Sequence, residues 1–117
     1  MRVAPLISAD LISALYAAVP DFGPMIDEHV ASYGELLPHV LFGDLTRFVL
    51  AGHERGDRDL ERRSLSFLDR ALREGDEEVR NLVQVSFVEN VGTWEPAQQA
   101  FVAAWPDALR ADAERLQ

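Results

Sequence analysis

The 117-residue sequence contains no cysteine and no lysine. The absence of cysteine excludes thiol catalysis, disulfide bridges and cysteine-ligated zinc. The absence of lysine leaves arginine as the only strongly basic side chain, and eleven arginines face twenty acidic residues, so the formal net charge is -9. A negative surplus repels nucleic-acid phosphates and anionic membranes, and it attracts basic proteins. We therefore expect a basic protein partner, and neither nucleic acid nor membrane as a target.

Long hydrophobic runs are missing as well. Glycine, proline or an acidic residue interrupts every apolar stretch well short of the ~18 residues that a membrane-spanning helix needs. The first five residues carry one positive charge, but they do not lead into the apolar region and cleavage site of an export signal. We expect a cytoplasmic protein.

The common catalytic motifs are also missing. The seven glycines are scattered between apolar segments, whereas a phosphate-binding loop needs clustered glycines between a strand and a helix. Ser64, Ser66 and Ser86 fall in the middle of predicted helices, away from the sharp turn that a nucleophilic serine occupies. The sequence therefore predicts a protein that is not an enzyme and needs no cofactor.

The three histidines are the first candidates for a metal site. No two of His29, His39 and His53 have the spacing that would place them on one helix face as ligands. Glu35 and His39 are four residues apart, but Pro38 interrupts the helix between them. His53 lies in a glycine-flanked segment that we interpret as a solvated turn. No bound metal is expected.

Hydrophobic spacing predicts helices throughout the chain. Proline and glycine divide it into segments of helical length, and none alternates as a strand would. The segment from about Asp57 to Glu74 has an apolar arc of about 160° opposite a polar side that includes Asp69. The next segment, from about Asp76 to Val91, has apolar residues in nearly every direction, which predicts a central, buried helix. We expect one all-α domain over residues 1–117, a compact array of six or seven helices.

A short internal similarity suggests how these helices could pack. Residues 66–69 and 86–89 share one pattern, a serine, a phenylalanine, an aliphatic residue and an acid, twenty positions apart. Two matches of this kind hint at successive helical hairpins of similar construction. The array could then resemble a fragment of an α-solenoid.

Candidate binding residues lie on the segment from about Asp76 to Val91 and at the edges of predicted helices. On an ideal α-helix, Ser86, Glu89 and Asn90 interrupt an apolar arc, which predicts a buried polar group that must find partners. A structural network at a helix end is one explanation, and contact with a ligand or partner is the other. Four aromatic residues lie at the edges of predicted helices: Phe22, Tyr33, Trp94 and Trp105. We expect these aromatic residues to pack into the core, and Trp94 is the best candidate for contact with a partner.

Two stretches, residues 35–45 (ELLPHVLFGDL) and residues 79–91 (VRNLVQVSFVENV), stand out together. They contain the patterns LLPH-x-x-x-GD and N-L-x-x-V-S-F-x-E-N, and they resemble a family of small bacterial all-helical proteins of unassigned function. The resemblance covers roughly residues 30–105, and it implies a helical fold and no established activity. The patterned polar positions, whose role is either structural or functional, are His39, Asp44, Asn81, Glu89 and Asn90.

Three functions remain open. The first is a noncatalytic acidic protein-binding domain, similar in size, charge and fold class to bacterial immunity proteins that block toxins. Its candidate binding residues are Trp94, Glu89, Asn90, Asp44 and His39. The second is a small-molecule-binding or enzymatic domain with a polar site around His39, Asp44 and Glu89. The third is a helical adaptor or dimerisation module.

Overall fold

The computed structural model describes Leu6 and residues 8–116, apart from the side chain of Ser8. Within these residues lie seven α-helices: α1 (Leu11–Ala18), α2 (Gly23–Tyr33), α3 (Pro38–Glu54), α4 (Arg58–Glu74), α5 (Glu77–Val83), α6 (Gln99–Ala103) and α7 (Asp107–Glu114). Short 3-10 turns at Ser8–Asp10, Pro20–Phe22 and Pro96–Gln98 precede α1, α2 and α6. The only extended pairing in this part of the chain is a single bridge between Leu6 and Gly75. The predicted all-α array is confirmed.

Local sequence signals set four of the helix ends. Gly34 ends α2 with a φ of 73°, a left-handed conformation that favours glycine. Pro38 occupies the first turn of α3, where its missing N–H costs nothing. The side chains of Asp57 and Asp76 cap α4 and α5 by accepting the backbone N–H groups three residues further on. These four ends follow from residue type alone.

Helix α4 lies at the centre of the array. It packs against α1, α3, α5 and α7, and its apolar side is buried as the periodicity predicts. In a solenoid each unit contacts only its neighbours in sequence. Because α4 contacts helices near both ends of the chain, the packing is arranged around one central helix and differs from solenoid-like stacking.

Asp69 departs from the predicted pattern of α4. Sequence periodicity places it on the polar side, yet the residue is only 7% exposed. One carboxylate oxygen accepts the backbone N–H of Leu109 at 3.1 Å, and the other accepts Arg73 Nε at 2.9 Å. Helix α7 has no side-chain cap of its own. Asp69, on the neighbouring helix α4, therefore accepts a hydrogen bond from a free backbone N–H at the N-terminus of α7. The solvent-facing assignment of Asp69 is therefore wrong.

The predicted helix from about Asp76 to Val91 contains a π turn, Gln84–Glu89, directly after α5. Its i→i+5 hydrogen bonds accommodate one extra residue, which rotates everything beyond it by roughly 100° relative to an ideal α-helix. Ser86 is buried, whereas Glu89 and Asn90 are exposed. The predicted burial of Glu89 and Asn90 is therefore wrong. Val85 is also exposed, and the other apolar residues of the run are buried as expected.

The edge aromatics divide between core and surface. Phe22 and Trp105 are buried, and the Trp105 ring packs against Phe87 and Phe101 with centroid distances of 5.1 and 5.6 Å. Tyr33 and Trp94 are 53% and 55% exposed. The expected place in the core is confirmed for Phe22 and Trp105 and wrong for Tyr33. Trp94, the interface candidate, is exposed, and its role as a binding residue stays a prediction.

Candidate functional site

Almost all the arginines in the described residues form ion pairs. In the part of the chain that the structure describes, every arginine except Arg80 pairs with a carboxylate of the same chain. Arg63 makes the ion pair with the largest sequence separation, because it pairs with Asp21 before α2 as well as with Asp59 on its own helix. The positive charge is thus neutralised locally, and the surplus of negative charge lies on carboxylates elsewhere.

The N-terminal part of the domain carries much of this surplus. Residues 3–46 contain no arginine and six acidic residues. Only Asp21 and Asp44 among these acids pair with an arginine, while Asp10, Glu28 and Glu35 are exposed and have no ion pair within the described residues. This region presents a negative surface with no guanidinium of its own.

Exposed apolar side chains concentrate in the same region. Among the described residues, eight large hydrophobic side chains are exposed, and five of them lie between residues 25 and 40: Met25, Val30, Tyr33, Leu36 and Val40. A surface groove of about 280 Å³ runs between α2 and α3, and its lining consists of Met25, Glu28, His29, Ser32, Tyr33 and Asp44. We call this feature the α2–α3 groove. Methionine and tyrosine are side chains that protein interfaces favour.

His29 gives the groove a rigid base. The residue is 4% exposed, and its Nε2 accepts the backbone N–H of Leu37 at 2.9 Å. Its ring packs against Tyr33 with a centroid distance of 4.8 Å, so the exposed tyrosine is supported from below. Because Nε2 is an acceptor, the neutral ring carries its proton on Nδ1. This histidine orients the α2–α3 connection, and its basic nitrogen is occupied.

A second concavity lies where α1, α5 and the start of α3 meet. It has a volume of about 210 Å³ and is lined by Leu11, Ile12, Leu36, Pro38, His39, Glu78, Val79, Asn81 and Leu82. We call it the apolar cleft. Beside it, His39 Nδ1 lies 2.7 Å from Ser86 Oγ, and the hydroxyl of Thr46 donates to the carbonyl of Ser86 at 2.8 Å. Helix α3 thereby holds the π turn at two points.

The predicted site residues do not converge. His39 and Asn81 line the apolar cleft, and Asp44 lines the α2–α3 groove, where it pairs with Arg47. Glu89 instead pairs with Arg115, with an oxygen-to-nitrogen distance of 3.3 Å. The polar site proposed around His39, Asp44 and Glu89 is therefore not assembled, because the three side chains have different neighbours.

Asn90 and Trp94 lie on exposed surface near the end of the π turn. Asn90 Nδ2 would be 3.9 Å from a Cβ at Gly43, which places the amide beside α3. Trp94 follows Gly92, whose φ of 74° turns the chain out of the helix. Both residues are available to solvent, and neither lines the α2–α3 groove or the apolar cleft.

The structure places His53 in a different environment from the solvated turn that the sequence suggested. It lies in the last turn of α3, and its Nδ1 is 2.8 and 3.0 Å from the two carboxylate oxygens of the buried Glu61. Its ring also packs against Phe101 at a centroid distance of 4.9 Å. The solvated-turn interpretation is wrong, because α3 continues past Gly52. Nowhere in residues 8–116 do three or more histidine or acidic side chains gather in a way that could hold a metal ion.

Sequence reasoning missed Met25, Glu28 and Tyr33 as groove residues. The signal was present in the long stretch without arginine and in a short helix with more apolar residues than one face can bury. It also missed the contacts that Thr46 and Ser86 make, for which no local pattern exists.

The fold and these surfaces define a small all-α domain with an acidic groove and a separate apolar cleft. No helix in the described ranges combines the length and the apolar character needed to cross a membrane. The chain belongs to the family described as "Domain of unknown function (DUF7674)", whose model matches residues 12–117. No curated protein and no solved structure shows significant similarity to it. The resemblance to a family of unassigned function is confirmed at that level.

Proposed function

We propose that this protein is a noncatalytic domain that binds a basic protein through the α2–α3 groove. One observation carries the proposal: Glu28, an exposed acid without an ion pair in the described residues, lines the same groove as the exposed Met25 and Tyr33. Asp44 lines the groove too, and it pairs with Arg47. Acidic side chains accelerate the encounter with a basic surface, and apolar anchors then supply affinity by leaving water. The acidic side chains and the apolar anchors thus lie in the same groove.

The noncatalytic character is supported by the state of the nearest imidazole. A general base needs a free nitrogen within reach of the substrate. The Nε2 atom of His29 already accepts the Leu37 N–H, and the ring is buried under Tyr33. The two groove carboxylates therefore have no adjacent histidine free to act as a base.

The finer form of the proposal is a bacterial immunity protein that acts in the cytoplasm. A nuclease toxin has a basic cleft for phosphates, and an acidic groove with apolar anchors can cover such a cleft. Glu89, Asn90 and Trp94 are exposed outside the groove and are candidates for a wider contact, as is His39 at the neighbouring cleft.

The test begins with affinity capture from an extract of the source cells at low ionic strength, followed by purification of the captured protein. Calorimetric titrations from about 50 to about 500 mM salt should show affinity falling as screening increases. Glu28→Arg should weaken binding by about tenfold or more. Glu114→Arg, at the C-terminal end of α7, is the matched control because Glu114 is exposed and lacks an ion pair in the described region.

Two outcomes would contradict the proposal. One is an affinity that stays level across the salt range, and the other is an equal effect of Glu28→Arg and Glu114→Arg. Sedimentation velocity at several concentrations separates a dimerisation module from a receptor for another protein. A dimer that Glu28→Arg disrupts would assign the groove to a second copy of this chain.

A further inference from the structure

The apolar cleft is a different concavity from the α2–α3 groove, and its chemistry points to a different ligand. We propose that it binds a small aliphatic ammonium compound, with the alkyl chain against the cleft wall and the ammonium group at Glu78. The inference does not depend on the proposed protein-binding function, because Glu28 and Asp44 do not line this cleft.

The wall of the cleft is aliphatic and reaches the core. Leu11, Val79 and Leu82 are at most 4% exposed and form its deep part. Ile12 is partly buried and Leu36 is 37% exposed, so these two side chains form the rim. Water against such a wall lacks hydrogen-bond partners, whereas an alkyl chain gains about fourfold in affinity for each methylene group buried.

The polar lining selects a cation. Glu78, Asn81 and Leu82 lie at positions i, i+3 and i+4 of α5, so they share one helix face. No arginine lines the cleft, and Glu78 forms no ion pair with any residue that the structure describes. An ammonium group has three N–H donors, which suit a carboxylate and an amide oxygen. A carboxylate ligand would instead meet the negative charge of Glu78.

His39 completes the lining in a fixed position. Its Nδ1 is held 2.7 Å from the hydroxyl of Ser86, which is buried on the π turn. Thr46 holds the same turn through the Ser86 carbonyl at 2.8 Å. Wide turns of this kind occur frequently at functional sites, and here the turn supports a side chain that lines the cleft. The site is therefore preorganised by contacts with α3.

Cleft volume limits the ligand. At about 210 Å³, it has room for roughly seven water molecules of ~30 Å³ each. A ligand with a similar number of non-hydrogen atoms is n-hexylamine, which has six carbons and one nitrogen and is protonated at neutral pH. Hexan-1-ol and heptanoate carry the same hexyl chain with a neutral and an anionic head group, so they are matched probes.

The experiment is an NMR titration of the ¹⁵N-labelled full chain with these three compounds. The expected order of affinity is hexylammonium, then hexanol, then heptanoate, with amide shifts centred on Ile12, Asn81 and Leu82. Glu78→Gln should weaken hexylammonium binding by about two- to fivefold and leave hexanol binding unchanged. Glu77→Gln is the control, since Glu77 is exposed on the same helix turn but does not line the cleft.

Equal affinity for the three head groups, shifts centred outside the cleft, or identical effects of Glu77→Gln and Glu78→Gln would each overturn the proposal. Tighter binding of Nα-acetyl-lysine methylamide than of hexylamine would assign the cleft to a lysine side chain of a protein and would also overturn it. Glu28→Arg should leave amine binding unchanged, so failure here is distinguishable from failure of the proposed protein-binding function.

Discussion

His39 Nδ1 and Ser86 Oγ are 2.7 Å apart although the two residues are separated by 47 positions in sequence. The contact joins the first turn of α3 to the π turn that follows α5. Since the carbonyl of Ser86 also accepts a hydrogen bond from the hydroxyl of Thr46, the side-chain hydroxyl and the backbone carbonyl of this buried serine are both bonded to α3. The contact gives a direct way to test whether α3 stabilises the π turn.

A double-mutant cycle measures this coupling. Ser86→Ala removes a buried hydroxyl and should lower the free energy of unfolding by about 1 kcal/mol, and His39→Ala should cost about the same. The double variant should lose less unfolding free energy than the sum of the losses in the two single variants, by about 0.5 to 1.5 kcal/mol, because both substitutions remove the same interaction. Urea unfolding of the four proteins checks this. Ser66→Ala on the exposed side of α4 is the control, and strictly additive effects of the pair would refute the coupling.

The pair of His53 and Glu61 should stabilise the contact between α3 and α4. His53→Ala removes the hydrogen bonds to the Glu61 carboxylate and the ring contact with Phe101. It leaves a carboxylate that is only 4% exposed, with Arg58 at 3.7 Å as its remaining cation. We expect a loss of about 1 to 3 kcal/mol in unfolding free energy. Glu54→Ala, one residue later and exposed, should stay within about 0.5 kcal/mol of the parent protein, and an equal loss in both variants would contradict the prediction.

Arg63 should make stability depend on acid pH. Its side chain bonds to carboxylate oxygens of Asp21 and Asp59, each at 2.8 Å, and these bonds lower the pKa of both carboxyls below the ordinary 3.8. A carboxyl with a lowered folded pKa contributes stability above the unfolded value and loses it as pH falls through the folded pKa. Arg63→Gln should therefore destabilise the protein at pH 7, and the deficit should shrink below about pH 3.8.

Arg80→Gln is the matched control for this experiment, because it removes the same charge from the one described arginine without an ion pair. Urea midpoints at pH 7, 5 and 3 provide the comparison. A deficit for Arg63→Gln that is constant over this range, or that Arg80→Gln reproduces, would show that the two carboxyls are not stabilised by Arg63.

Tyr16 should make stability depend on alkaline pH. Its hydroxyl donates a hydrogen bond to the Asp27 carboxylate, and this bond raises the pKa of Tyr16 above the ordinary 10.0. A group with a raised folded pKa contributes stability below the unfolded value and loses it as pH rises through the folded pKa. Tyr16→Phe should therefore be less stable than the parent at pH 8, and the difference should vanish well above pH 10, about where the phenol ionises in the fold.

Phenolate absorption gives a second readout for Tyr16. The parent titration minus that of Tyr16→Phe isolates this residue, and its midpoint should lie above 10. Asp27→Asn should move the midpoint back toward the ordinary value, because the charged acceptor is gone. A midpoint at or below 10 in the parent protein would mean that the bond is absent in solution.

Much of the fold could be predicted from local patterns. Pro38, Gly34 and the capping aspartates mark helix ends because they satisfy or remove backbone groups within one turn. The periodicity of α4 predicted its buried side because a 3.6-residue repeat needs no information about the neighbour. Asp69 was the exception, since its burial depends on an α7 terminus that periodicity does not describe.

The candidate sites depended on tertiary structure. Gln84, the first residue of the π turn, has φ and ψ of -60° and -49°, the values of an ordinary α-helix. Its wide turn coincides with contacts from Thr46 and His39 on another helix, and the resulting rotation exposes Glu89 and Asn90. Composition alone determined that the molecule is acidic and free of cysteine and lysine. Which acids remain unpaired, and which apolar side chains stay in water, was decided by packing, because each burial site and each ion pair needs a partner that the fold brings from a distant position.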